Sequence, residues 1–224
     1  MGIGATTRPL QAAAQMIDLS LSEPLIAPLI RADMRQKISV LCALDARLAT
    51  MAATGKEPVL RQIRLQWWHD QLLATDGGLA ASQPLLAQVA ATLGGDGGAR
   101  ALAALAAAWS AQAIAGPGEW TGESGAILFQ IAANLLGGRS ERLALAGQGW
   151  AMVRHATDQA LPPDDALWAR AAAVLQNAPV NHMPRELAAL AALTGLARRI
   201  ARRRGLRSQL AEQGVILRIG LLGR

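Results

Sequence analysis

Apolar positions along this chain recur at three- and four-residue intervals, while the two-residue alternation of strands is nearly absent. Between Gly and Pro punctuation the spacing predicts helices over Pro9–Leu19, Asp33–Ala53, Glu57–Ala74, Gln83–Leu93, Ala99–Ala115, Ser124–Leu136 and Ser140–Ala160. Three more follow over Asp164–Asn177, Arg185–Arg204 and Leu206–Arg218. The breaks are Gly77-Gly78, the glycine cluster at 94–98, Gly116-Pro117-Gly118, Gly137-Gly138 and Pro162-Pro163. Such short loops suit antiparallel neighbours in a bundle. No break is long enough for an interdomain linker and no repeat is visible. The expectation is one all-α domain over residues 1–224, with a basic C-terminal region at 198–224.

Composition narrows the class. Hydrophobic residues make up 52% of the chain and charged residues 17%, which excludes general disorder. A lone cysteine, Cys42, excludes an internal disulfide and a cysteine-clustered zinc site, and His69, His155 and His182 are too scattered for a metal cage. The six Trp lie mostly in apolar segments and read as packing rather than as a base-stacking platform, so no nucleic-acid partner is expected. No apolar run approaches the ~20 residues of a membrane span, and Met1–Leu10 lacks the apolar core of a secretory signal. A cytoplasmic location is expected.

The net charge of +6 is concentrated at one end. Eight arginines and a single acid, Glu212, lie between Arg198 and Arg224, a local balance of +7 against −1 for the rest. Arg198, Arg199, Arg202 and Arg203 follow the apolar stripe Leu187, Leu190, Leu193, Leu196 and Ile200. Two readings compete: a solvated basic face that favours the helix C-terminus, or attachment to an anionic membrane at the inner face.

Two segments carry candidate chemistry. On the Asp33–Ala53 helix, Val40, Leu41, Leu44, Leu48 and Met51 define an apolar sector with Asp45 at its border. A carboxylate there must be paired with a base or a helix end, or belong to a polar pocket. In Glu57–Asp70, Trp67 and Trp68 point about 100° apart, so burying both requires neighbours on two sides. Arg64 stands within reach of both indoles, and with Gln66 and His69 it defines a candidate anion or headgroup pocket.

The run EPVLRQIRLQWWHDQL, after Leu41-Cys42-Ala43-Leu44-Asp45-Ala46-Arg47-Leu48-Ala49, resembles the second-helix segment of the squalene/phytoene synthase family, closest to its short bacterial members. GAILFQIAANLLGG, AGQGWAMVRHA and the closing GLLGR continue the similarity in order. The resemblance implies an isoprenoid-synthase-like helical bundle around a central cavity. Active members use two acid-rich motifs to hold Mg²⁺ and condense two prenyl diphosphates. A hard cation wants carboxylate oxygens, and acids one helical turn apart share a face. Here the first motif falls on Ala49 and Ala53. The second falls on Arg154–Asp158, with His155 in place of a metal-binding acid, so only Arg154 and Asp158 match.

The expected function is therefore a prenyl- or lipid-binding or assembly protein that has lost metal-dependent transfer and carries no cofactor. The family offers a precedent in a mitochondrial assembly factor for respiratory complex I. The candidate ligand-binding residues are Asp45, Arg64, Gln66, Trp67, Trp68, Arg154 and Asp158, with no metal ligands. Two rival readings are an active head-to-head prenyl diphosphate transferase using Mg²⁺ and acids from other positions, and a helical domain that binds an unknown protein partner.

Overall fold

The computed structural model describes residues 17–55, 57–74, 83–94, 98–115, 119–140, 142–178 and 183–222. Among them the chain is all helix and turn, with no strand. Nine α-helices follow in order: α1 (Arg35–Ala53), α2 (Pro58–Ala74), α3 (Pro84–Leu93), α4 (Gly98–Ile114), α5 (Glu123–Leu136), α6 (Leu143–Asp158), α7 (Ala166–Gln176), α8 (Ala188–Arg202) and α9 (Gln209–Leu222). Most of the expected Pro9–Leu19 helix lies outside the described residues, and the part that is described, Ile17–Leu19, is not helical. The last helix begins three residues later than its spacing predicts and runs on to Leu222, taking in the apolar segment that follows Gly214.

Local chemistry explains the ends. Pro58 and Pro84 open α2 and α3, where a missing N–H costs nothing. Asp165 caps α7, its carboxylate accepting the Leu167 amide at 2.8 Å. That bears out Asp164-Asp165 as a helix start. Gly205, in the left-handed region, closes α8 by donating its amide to the Ile200 carbonyl.

The layers are set by which faces are apolar. Helix α1 packs on α2, α3, α4 and α5, and α6 packs on α5, α7 and α8, while α9 lies on α8. Leu41, Leu44 and Leu48 of α1 are fully buried, as are Leu187, Leu190, Leu193, Leu196 and Ile200 of the α8 stripe. Helix α2 is more peripheral than its Trp pair suggests. It turns Leu65, Trp68 and Leu72 inward and leaves Val59, Leu60, Ile63 and Trp67 exposed. Trp67 meets Trp68 edge-on, with centroids 5.9 Å apart. Among the described residues no helix is long and apolar enough to cross a membrane.

Helices α5 and α6 approach until their backbones touch, because glycines face each other at the crossing. A Cβ on Gly125 would collide with the Gly147 carbonyl oxygen, and one on Gly147 with that of Gly125. This contact fixes the α6 face that carries Arg154, His155 and Asp158. Gly147→Val should therefore cost about 2–3 kcal/mol in urea unfolding. Gly214→Ala, where a Cβ meets nothing within 4 Å, should instead gain about 0.5–1 kcal/mol. Equal effects at the two positions would contradict the close crossing.

Candidate functional site

A cavity of about 780 Å³ opens among α1, α2, α4, α5, α6 and α7. Its α1 wall carries Asp45, Ala49, Ala52 and Ala53; Arg61 enters from α2, and Trp109 and Gln112 from α4. Helix α6 supplies Trp150, Arg154, His155 and Asp158, and α7 supplies Arg170.

At its base the Asp45 side chain, only 4% exposed, faces the cavity and is fully committed. One carboxylate oxygen accepts the Trp109 indole N–H at 2.9 Å and the other the Arg154 guanidinium at 2.7 Å. One residue thus joins α1, α4 and α6. Arg154 also lies over the Trp150 ring, 5.4 Å from its centroid, and reaches toward Asp158 at 3.8 Å. Burial opposes the Arg154 charge most strongly, but Asp45, Asp158 and Asp18 together outweigh it and hold the guanidinium more firmly protonated than usual. Asp158 sits at the rim, where partial burial and Asp18 push its carboxyl above the usual range despite Arg154.

One wall is aromatic. His155 stacks on Trp120 with centroids 4.5 Å apart and planes 11° from parallel, and Trp120 meets Trp109 edge-on at 6.4 Å. Burial in this stack pushes the His155 pKa down, favouring the neutral ring. Among the described residues three buried side-chain atoms have no hydrogen-bond partner: Arg61 Nε, Gln112 Oε1 and Ser124 Oγ. All three residues line this cavity. An unsatisfied buried polar atom costs about 1–3 kcal/mol, so the packing behind this wall carries that cost.

The structure brings Asp45, Arg154 and Asp158 together, and Ala49 and Ala53 stand on the same wall. It does not bring Arg64, Gln66, Trp67 and Trp68 to the cavity. Arg64 is exposed, and Gln66 joins a surface cluster, donating to Asp70 at 2.9 Å beside His69. Trp68 is core and Trp67 is 39% exposed. The α2 residue that does line the cavity is Arg61. It shares the inward stripe of Leu65, Trp68 and Leu72, spacing readable from the sequence, and donates to the Ala113 carbonyl at 2.8 Å.

The donor set does not suit Mg²⁺. Ala49 and Ala53 have no oxygen to offer, and both oxygens of Asp45 are taken by Trp109 and Arg154. Among the described residues no group of three or more His, Cys, Asp or Glu side chains is placed to hold a metal ion.

The basic C-terminal region divides by use. Arg198 donates to the Leu175 and Ala178 carbonyls, anchoring the end of α7. Arg207 grips the buried Glu212 at 2.7 Å and the Ile17 carbonyl. Arg199, Arg202 and Arg203 have no ion pair among the described residues. Comparison of the chain with protein-family models, curated proteins and solved structures finds no match.

Breaking a buried pair by deleting one partner leaves the other charge uncompensated. Asp45→Ala and Arg154→Met should each cost about 3 kcal/mol, and the double variant clearly less than the two together, with coupling of about 2 kcal/mol in urea unfolding. Additive losses would show that the pair is not a unit.

Proposed function

We propose that this chain is an isoprenoid-synthase-like protein, similar to the squalene/phytoene synthases, that holds a prenyl or other lipid chain in its central cavity without metal-dependent transfer. The observation that carries the reading is a coincidence of position. The residues that the resemblance pairs with both metal-binding motifs, Ala49 and Ala53 on α1 and Arg154, His155 and Asp158 on α6, all face one cavity. A loop or an outward face would have been the expectation for an accidental similarity.

The cavity's character supports a chain-like apolar ligand. Its volume falls within the ~300–1,000 Å³ of small-molecule sites, and alanines and indoles form much of its surface. Its charges balance: Arg61, Arg154 and Arg170 against Asp45, Asp158 and Asp165. With no positive surplus and no metal-binding acids at 49 and 53, two diphosphates would meet there uncompensated. A single chain with a neutral or singly charged head fits better. Such a protein would exchange its ligand at an anionic membrane surface.

Mass spectrometry of lipids extracted from the purified protein tests this. A prenyl or other long-chain lipid should accompany the wild type and be lost from Ala49→Phe/Ala53→Phe, which fills the cavity, while the helical circular-dichroism signal is kept. Absence of any chain from the wild type would favour the protein-interaction reading. Release of diphosphate from farnesyl diphosphate that depends on Mg²⁺ would restore the transferase.

A further inference from the structure

A second concavity, about 480 Å³, runs between α8 and α9, which form a helical hairpin. Arg198, Arg199, Arg202 and Arg203 line it from or just after α8 and Arg218 from α9, and among the described residues no carboxylate stands in its wall. The acid closest in sequence, Glu212, is 1% exposed and spends both oxygens on Arg207 and the Ser208 amide. Like charges gathered without a counter-charge repel, and here Arg202 adds to burial in pushing the Arg198 pKa down.

The C-terminal dipole of α8 accounts for only part of this gathering. It favours Arg199 and Arg202 in its last turn, but Arg218 belongs to another helix. Arg198 is fixed by the end of α7, whereas Arg199, Arg202, Arg203 and Arg218 have no ion pair among the described residues. In the α9 wall Gly214 leaves open space, since a Cβ there would meet nothing within 4 Å.

We propose that the α8–α9 groove binds a phosphoryl group, either free diphosphate or the headgroup of an anionic phospholipid. Guanidinium forks match phosphate oxygens two at a time, and a phosphoryl group offers up to two negative charges in the space of one carboxylate. The groove is separate from the central cavity, and the proposal does not depend on that cavity holding a lipid.

Calorimetric titration with pyrophosphate, and cosedimentation with phosphatidylcholine vesicles containing phosphatidic acid or, at matched charge, oleic acid, test it at about 0.15 M salt. The wild type should bind pyrophosphate, phosphatidic acid vesicles or both. Pyrophosphate alone would assign a soluble phosphoryl ligand, and vesicles alone a headgroup. Arg199→Gln/Arg202→Gln/Arg218→Gln should weaken binding at least about tenfold. Gly214→Trp, which fills the groove without removing charge, should do likewise, with circular dichroism unchanged for both. Binding of neither probe by the wild type, wild-type affinity in either variant, or equal binding to oleic acid vesicles would overturn the proposal.

Discussion

The charge of Asp45 governs the interior. A carboxylate buried in an apolar helix face is tolerable only when its oxygens are met, and here they are met by donors from two other helices, Trp109 of α4 and Arg154 of α6. The pair therefore sets the spacing of α1, α4 and α6 at one place. It also turns Arg154 across Trp150 and toward Asp158. Without that neutralised pair, the cavity floor would hold an uncompensated charge, and the alanine wall of α1 would have no polar fixture opposite it.

Small residues complete what the ion pair begins. The Gly125–Gly147 contact draws α6 against α5, while Ala49, Ala52 and Ala53 leave space where larger side chains would fill the gap between α1 and α6. The aromatic stack of Trp109, Trp120 and His155 lines the space with flat, weakly polar surface. Charge is segregated accordingly. The cavity holds balanced acids and bases, and the α8–α9 groove is lined by five arginines, none with an ion pair among the described residues. In the proposed reading the interior takes an apolar ligand and the outer groove an anion.

Much of this was legible in the sequence. Helical spacing located nearly every described element, and the angular position of Asp45 beside Leu41 and Leu48 marked it as a carboxylate needing a partner. The α2 candidates Arg64, Gln66, Trp67 and Trp68 do not line the cavity, because the Trp-Trp pair does not mark the inward face of the helix. Leu65, Trp68 and Leu72 fix the inward face, which puts Arg64 and Gln66 outside and Arg61 inside. The division of the arginines could not have been read in advance. Arg198 is held by carbonyls of Leu175 and Ala178, and Arg207 by that of Ile17, and a backbone acceptor leaves no mark in the pattern of side chains. Trp120 reaches the cavity from the α4–α5 connection, where no periodicity applies, whereas Gln112 lies on α4, where helical spacing does apply.

The central claim is that the cavity takes an apolar chain without metal, and its three indoles, Trp109, Trp120 and Trp150, make it directly observable. Tryptophan fluorescence should change saturably when farnesol is added in the presence of EDTA, with the change abolished in Ala49→Phe/Ala53→Phe. Farnesyl diphosphate with Mg²⁺ should bind no more tightly than the alcohol. No response to farnesol, together with saturable binding of farnesyl diphosphate that requires Mg²⁺, would contradict the claim.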